Sequence, residues 1–350
     1  MHIQKTTFRI LTLSLPFILF SCSHEPSALS LDQSRAYIGS TSPISKTFET
    51  STGEKIQFEE GDEELFNEYA PVFVIENDHK NYNKIGEPKI RRIVQGKLEA
   101  YVDPSSSVMF AGKRQFFTES GTYTNLIYRV HFEKTPYSLT PFYLTAGKNI
   151  GIFAIVTLND RKQPILFTMV NTCGCFISVV PTNYLQKSAF PKNWKPSPKF
   201  RYGERLTEML YYSKPFDSSD RPTVYVRHAS HRISDVFIQK LDVTKKQFDT
   251  VETNLFPIKR LDYLPIDGEK EEASFFYTGL NKGYVRDTYK PFEFLFISWW
   301  AFDMNVGVDK KYASSKELSM RFYTSLNPAY REQSDMWNFQ RFLKFWGWNL

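Results

Sequence analysis

Two cysteines separated by a single glycine are the side chains best suited to chemistry. Cys173 and Cys175 flank Gly174. In an extended strand the Cα atoms of alternate residues lie about 6.5–7 Å apart, near the upper limit for a disulfide, whereas glycine allows a tighter backbone. The spacing predicts either a disulfide that is easily reduced or a pair of buried thiols, with thiol-redox catalysis as an alternative.

Histidines elsewhere in the chain could turn the cysteine pair into a metal site. His228 and His231 would add two imidazoles to the thiolates of Cys173 and Cys175, giving the ligand set of a tetrahedral zinc or copper site. Because side chains alternate between the faces of a strand, His231 would point away from His228 unless the chain turns between them. His131, in a predicted strand, is a further candidate ligand. A hydrogen-bonded or surface histidine is the alternative for each.

Oxygen-bearing side chains recur at Asp303, Asn305 and Asp309, with Gly307 between the last two. Calcium-binding loops place such side chains at alternate positions so that they converge on one hard cation. Ser314 stands where a loop of this kind carries its final acidic ligand. The alternative to a calcium loop is therefore a polar turn that follows an apolar segment.

The composition excludes several classes of protein. The 350 residues carry 44 Lys and Arg against 38 Asp and Glu, a formal net charge of +6. So mild a charge predicts no nucleic-acid partner, and 23% charged residues exclude a protein made of many membrane spans. Aromatic residues make up 16% of the chain, and Trp194, Trp299 and Trp300 could stack on a carbohydrate or lie in the core.

The start of the chain has the pattern of an export signal. Lys5 and Arg9 lead into an apolar stretch at 10–20, which is too short to span a bilayer because a membrane helix needs roughly 20 residues. The stretch ends in Leu-Phe-Ser-Cys, with Cys22 as the last residue, and this resembles the lipobox of bacterial lipoproteins. The resemblance implies that residues 1–21 are a signal peptide and that Cys22 carries the lipid.

The same resemblance implies a location. A lipidated Cys22 would hold the protein on a lipid bilayer of the cell envelope, with palmitate as an expected acyl chain. Ser23 follows the cysteine where lipoproteins of the enteric type use an aspartate to stay in the inner membrane, so the outer membrane is the predicted location. The alternative is an ordinary cleaved signal peptide, with Cys22 removed or left as a thiol.

The remaining chain divides into a tether and a body. Residues 22–55 are rich in Ser and Thr and predict a flexible tether, whereas 56–350 predicts a globular β-rich body. The proline-rich segment 191–198 could divide this body into lobes at 56–190 and 199–350. The fold class predicted is α+β, with a mostly antiparallel sheet or sandwich and a few covering helices.

Individual elements of the body also follow from the pattern. Residues 151–158 and 164–170 predict a hairpin of two buried strands, 292–298 predicts a strand, and 204–212 predicts a helix. A C-terminal amphipathic helix is predicted from four apolar residues at helical spacing, namely Met336, Phe339, Leu343 and Trp346.

Two functions lead at the level of sequence, and a hydrolase whose carboxylates meet only through the fold is a third alternative. The first is a membrane-anchored envelope lipoprotein with a binding or assembly role, toward an envelope protein or a carbohydrate. The second is a metal-dependent or thiol-redox enzyme centred on Cys173 and Cys175. The chain contains no G-x-S-x-G, H-E-x-x-H or phosphate-binding glycine motif that would favour a known hydrolase or nucleotide enzyme.

Overall fold

The computed structural model of the protein describes residues 33–41, 47–201, 203–313 and 320–350, so Cys22 lies outside the described residues. Within these ranges the strands, in chain order, are β1 Arg35–Ser40, β2 Thr47–Glu49, β3 Lys55–Gln57, β4 Val72–Ile75, β5 Glu87–Arg92, β6 Leu98–Asp103, β7 Val108–Thr118, β8 Gly121–Thr135, β9 Gly147–Leu158, β10 Pro164–Asn171, β11 Ser178–Pro181, β12 Lys199–Arg201, β13 Glu204–Leu206, β14 Asp220–Val226, β15 Ile233–Lys240, β16 Asp249–Pro257, β17 Leu264–Pro265 and β18 Glu272–Ala273. The α-helices there are α1 Asp62–Tyr69, α2 Leu241–Gln247, α3 Pro291–Ala301 and α4 Phe339–Phe345.

A ten-stranded sheet dominates the described body. Its order is β11-β10-β9-β8-β7-β16-β1-β4-β14-β15. Neighbours are antiparallel from β11 to β7, and parallel where β16 meets β7 and β1 and where β4 meets β14. The sheet is therefore mixed, with antiparallel pairs in the majority, and the predicted β-rich α+β class is confirmed.

The central strands are long apolar runs because both faces of the sheet are covered. All but one residue of β9 are buried, and β10 is buried throughout. Ile152, Ala154 and Val156 pack into one hydrophobic core, whereas Phe153 and Ile155 pack into the other. This alternation follows from the two-residue period of a strand. The hairpin that the sequence predicts at these strands is confirmed.

The predicted tether is too long. Arg35–Ser40, which the sequence analysis placed in the tether of 22–55, forms β1 between β16 and β4. Ala36, Tyr37 and Ile38 are buried there. Three consecutive apolar residues are enough for an interior strand once β16, far away in the sequence, supplies a parallel partner. Local composition carries no sign of that partner.

The body is not split into two lobes at 191–198. The main sheet takes β7 to β11 from one side of this segment, and β14 to β16 from the other. The parallel pairing of Thr223 with Val72 and of Asn254 with Val108 joins the two halves directly. The prolines therefore mark a surface connection within one folded unit.

Three predicted elements differ from the structure. Residues 292–298 belong to the helix α3, which begins at Pro291, a residue that suits the first helical position. The strand prediction was wrong because a segment that is almost entirely apolar has no period that separates helix from strand. Residues 204–212 contain the short strand β13 instead of a helix. The C-terminal amphipathic helix exists, but it begins at Phe339 with Asn338 as its N-cap, and Met336 and Trp346 lie outside it.

One end of the main sheet brings the segments of interest together. β1 begins there at Arg35. The strand register places Thr135, the last residue of β8, and Gly147, the first residue of β9, level with Arg35. β10 also ends on this side, at Asn171. We call this side of the sheet the Arg35 end. Helix α3 lies against it.

Candidate functional site

The two cysteines lie in a tight turn between β10 and β11. The N–H of Asn171 donates to the carbonyl of Cys175 at 3.0 Å, and the N–H of Gly174 donates to the carbonyl of Asn171 at 2.8 Å. Gly174 has a φ of 93°, which glycine adopts without strain, and a Cβ there would lie 2.4 Å from the carbonyl oxygen of Tyr323. Both thiols are free, with Cys173 buried and Cys175 partly exposed. The turn thus holds two thiols side by side.

Two buried lysines flank this turn. Lys290, the residue before α3, is 2% exposed, and its Nζ lies 3.0 Å from Oδ2 of Asp309 and 3.9 Å from Oε2 of Glu293. Lys310 is fully buried, and its Nζ donates to the carbonyl oxygen of Cys173 at 2.7 Å. We call this group the thiol–lysine cluster; its members are Cys173, Cys175, Lys290, Glu293, Asp309 and Lys310.

The cluster favours one thiolate. A hydrogen bond from the Cys175 thiol lowers the pKa of Cys173, and the positive charge of Lys290 acts in the same direction. The same hydrogen bond raises the pKa of Cys175 well above its usual value, and burial adds to this effect. Burial alone would lower the pKa of Lys290, but the charges of Asp309, Cys173 and Glu293 outweigh burial and raise it well above its usual value. The lysine therefore stays cationic beside the sulfurs.

Glu293 connects the cysteines to α3. It lies in the first turn of the helix, and the Cys175 sulfur is 3.9 Å from its Oε1. Burial raises the pKa of Glu293 although Lys290 opposes the shift. Gly307 makes room for this carboxylate, since a Cβ at Gly307 would lie 1.9 Å from Oε2. The start of α3 is thus fixed by the cluster.

Arg129 on β8 is hydrogen-bonded to the backbone of the cluster. It is fully buried, its Nη1 donates to the carbonyl oxygen of Lys310 at 3.0 Å, and its Nε donates to Nε2 of His131 at 2.8 Å. Burial lowers the pKa of Arg129 to about 9 and that of His131 well below its usual value. His131 is therefore a neutral hydrogen-bond acceptor in the core and not a ligand beside the cysteines.

The predicted Cys2His2 site is not assembled. The chain does turn at Ala229, but His231 points into the core, stacked at 4.2 Å on Phe132. His228 lies with its Nδ1 at 3.2 Å from a carboxylate oxygen of Glu76. In the described parts of the chain, no group of three or more His, Cys, Asp and Glu side chains is placed to hold a metal ion. The zinc or copper prediction therefore has no structural basis at these four residues.

The predicted calcium loop is a polar turn. Asp303 accepts hydrogen bonds from the Tyr323 hydroxyl and, at 2.8 Å, from the N–H of Asn305. Asp309 points away from both and into the thiol–lysine cluster, where Lys290 is its cationic partner. The three oxygen side chains do not converge because the glycine at 307 turns the chain inward over Glu293.

Helix α3 and the turn that follows it present an exposed apolar face next to the cluster. We call it the aromatic surface; its members are Leu295, Phe296, Trp299, Trp300, Phe302 and Met304, with exposures from 40% at Trp300 to 80% at Phe302. The only charged residue of α3 is Glu293, which is buried. The β8–β9 connection continues the surface, with the ring of Phe142 lying 5.0 Å from Phe292. Trp299 and Trp300 are therefore surface residues.

The lysines and the Glu293 carboxylate that surround the thiols were not predicted from the sequence. Glu293 was the one of these residues that the sequence could have indicated, because a lone glutamate within an apolar run needs a buried partner. Nothing in the sequence indicated Lys290 and Lys310, since they resemble the chain's many surface lysines and only the fold brings them to Cys173. Comparisons with protein-family models, curated proteins and solved structures found no match for this chain.

Proposed function

We propose that the protein is a lipid-anchored protein of the bacterial envelope whose body binds an apolar partner through the aromatic surface. The observation that carries the binding role is the exposure of α3. Soluble monomers rarely expose large contiguous apolar patches, and such patches mark interaction sites. Trp299 is 65% exposed on α3, whose one charged residue is buried, and Phe302, directly after the helix, is 80% exposed.

The anchor rests on the sequence. Lys5 and Arg9, the short apolar stretch and Cys22 together support a lipoprotein signal, and Ser23 supports the outer membrane. Diacylglycerol together with an N-terminal acyl chain gives stable anchoring, whereas a single chain binds only marginally. Among the helices of the described residues, none has the length and apolar content to cross a bilayer.

Radiolabelled palmitate tests the anchor. We expect the wild-type protein to incorporate label and to sediment with the outer-membrane fraction, because Cys22 is the acylated residue. Cys22→Ala should lose the label and leave that fraction. Cys175→Ala is the matched control, since it removes a cysteine of the body and should keep the label. Label that persists in Cys22→Ala would refute the assignment.

Thiol–disulfide exchange is a second candidate, and Lys290 is the observation that favours it. A cation fixed beside a thiol pair stabilises the thiolate, which is the attacking form. The thiolate would attack a disulfide of a small molecule or protein, releasing one thiol and leaving a mixed disulfide. The second cysteine would then attack that bond and release the second thiol. The net reaction is oxidation of Cys173 and Cys175 to a disulfide and reduction of the partner disulfide to two thiols.

Mass spectrometry after treatment with oxidised glutathione tests this second candidate. We expect the wild-type body to lose two hydrogens, because the second cysteine resolves the mixed disulfide. Cys175→Ser and Cys173→Ser each lack the resolving partner, so any adduct that forms should keep its glutathione. Wild-type protein that remains fully reduced, or that accumulates only the glutathione adduct, would show that the two thiols do not work as a pair.

A further inference from the structure

We propose that the aromatic surface enters the interfacial layer of the same membrane that holds the lipid anchor, so that the partner is a phospholipid surface. This inference rests on the proposed function for the anchor at Cys22. It goes beyond that function by naming the partner and by fixing which side of the body faces the bilayer.

The first support is the point at which the chain enters the fold. Ten residues lie between Cys22 and Gln33, the first described residue, and the eleven extended steps from Cys22 to Gln33 span at most about 40 Å. The chain then enters the sheet at the Arg35 end. An anchored body therefore keeps this end within about 40 Å of the lipid headgroups.

The second support is that the aromatic surface lies at the same end. Only β16 and β7 separate β1 from β8, so the two strands are about 14 Å apart across the sheet. The connection that follows Thr135 packs on α3, with the ring of Tyr137 6.0 Å from that of Phe292. A Cβ on Gly147, the first residue of β9, would lie 2.9 Å from Cγ of Lys290 at the start of α3. Anchor and aromatic surface thus share one side of the body.

The third support is the chemistry of the surface itself. Tryptophan and tyrosine prefer the boundary between headgroups and hydrocarbon, where a ring can be buried while its polar atom stays hydrated. Trp299 and Trp300 lie on α3, and Tyr137 and Tyr289 stand beside it at 61% and 57% exposure. A helix of 11 residues is about 16 Å long, so α3 fits the plane of the interface and is too short to span the bilayer.

These three observations favour a lipid surface over a protein partner or a second copy of the chain. Once Cys22 is acylated, contact with the bilayer is an intramolecular event at high effective concentration, whereas any protein partner must be found by diffusion. In addition, the packing of Gly307 on Glu293 holds the start of α3 against the body, so the rings of α3 stay exposed before any partner binds.

Fluorescence quenching by brominated lipids tests the inference on the mature lipidated protein. The protein is reconstituted in vesicles of phosphatidylethanolamine and phosphatidylglycerol, with or without bromine on the acyl chains. Two of the 6 tryptophans belong to the aromatic surface, so we expect bromine to remove roughly a third of the emission, for equal emission by each ring. Trp299→Leu combined with Trp300→Leu should abolish this loss.

Two gain-of-probe variants keep the test independent of that double substitution. Met304→Trp adds a tryptophan to the aromatic surface, and Phe117→Trp adds one at the opposite end of the sheet; the native side chains are equally exposed at 65%. We expect bromine to quench the probe at Met304 and to spare the probe at Phe117. The pair separates insertion at one end from general adsorption of the body.

The outcomes separate the inference from the function on which it depends. Wild-type protein that floats with the vesicles but shows no quenching, at the native tryptophans or at Met304→Trp, would overturn the inference and leave the anchor intact; the surface would then serve a protein or a second copy. Equal quenching at Phe117→Trp would overturn it as well. Failure of the wild-type protein to float would remove the proposed anchor and the inference together.

Discussion

Gly307→Ala lowers the free energy of unfolding by about 2–5 kcal/mol, because the new methyl group adds a backbone cost and a packing cost. The residue has a φ of 74°, where a side chain costs about 1–2 kcal/mol. The Cβ would also lie 1.9 Å from Oε2 of Glu293, a buried carboxylate that cannot leave without separating from Lys290. Overpacking of this kind costs about 1–3 kcal/mol. Urea unfolding of the purified protein measures the sum.

Gly268→Ala is the matched control for this prediction. Gly268 has nearly the same backbone, with a φ of 75°, but nothing lies within 4 Å of its Cβ position. It should therefore lose only the backbone contribution of about 1–2 kcal/mol. If the two variants lose equal stability, the packing of Gly307 on Glu293 contributes nothing, and the described link between the cluster and α3 is wrong.

Lys290→Met lowers the free energy of unfolding by about 3–5 kcal/mol, the usual cost of removing one partner from a buried ion pair. The substitution leaves Asp309 and Glu293 buried without their cation, at 0% and 3% exposure. Lys89→Met is the control, because Lys89 pairs with Asp103 at 2.6 Å but is 31% exposed. That variant should lose less than about 1 kcal/mol. A similar small loss in Lys290→Met would contradict the account of the cluster.

The loss in Lys290→Met should also depend on pH. The folded-state pKa of Glu293 is raised, so the folded protein holds this proton at a pH where the unfolded chain has released it. Stability from this group is therefore present at acid pH and falls as pH rises through the folded pKa. Removing Lys290 raises that pKa further, so the variant should be more severely destabilised at neutral pH than near pH 5. Unfolding curves at both values measure the difference.

The fold was predictable where short apolar runs are separated by a recognisable turn. The hairpin of β9 and β10 follows from its two buried apolar runs and the turn between them. The pattern failed for α3, because the run from Phe292 to Trp300 is apolar except for Glu293 and Ser298 and carries no period. It failed for β1 as well, because that strand depends on parallel pairing with β16.

Only the thiol pair of the candidate site was predicted from the sequence. The spacing of Cys173 and Cys175 predicted a pair of thiols, and the structure has free thiols within one turn. Their electrostatic partners arrive from the segment around α3, far along the chain, so no spacing rule connects Lys290 with Cys173. The metal-site prediction at His228 and His231 was wrong. Their spacing suits a metal ion, but the fold gives each of them another hydrogen-bond partner.

The mass of the mature amino terminus tests the central claim most directly. Protein extracted from its native membrane should begin at Cys22, lack residues 1–21, and carry the added mass of the diacylglycerol and the amide-linked acyl chain. An unmodified Cys22, or a chain that keeps the first 21 residues, would contradict the account, because nothing would then hold the Arg35 end and its aromatic surface at the bilayer.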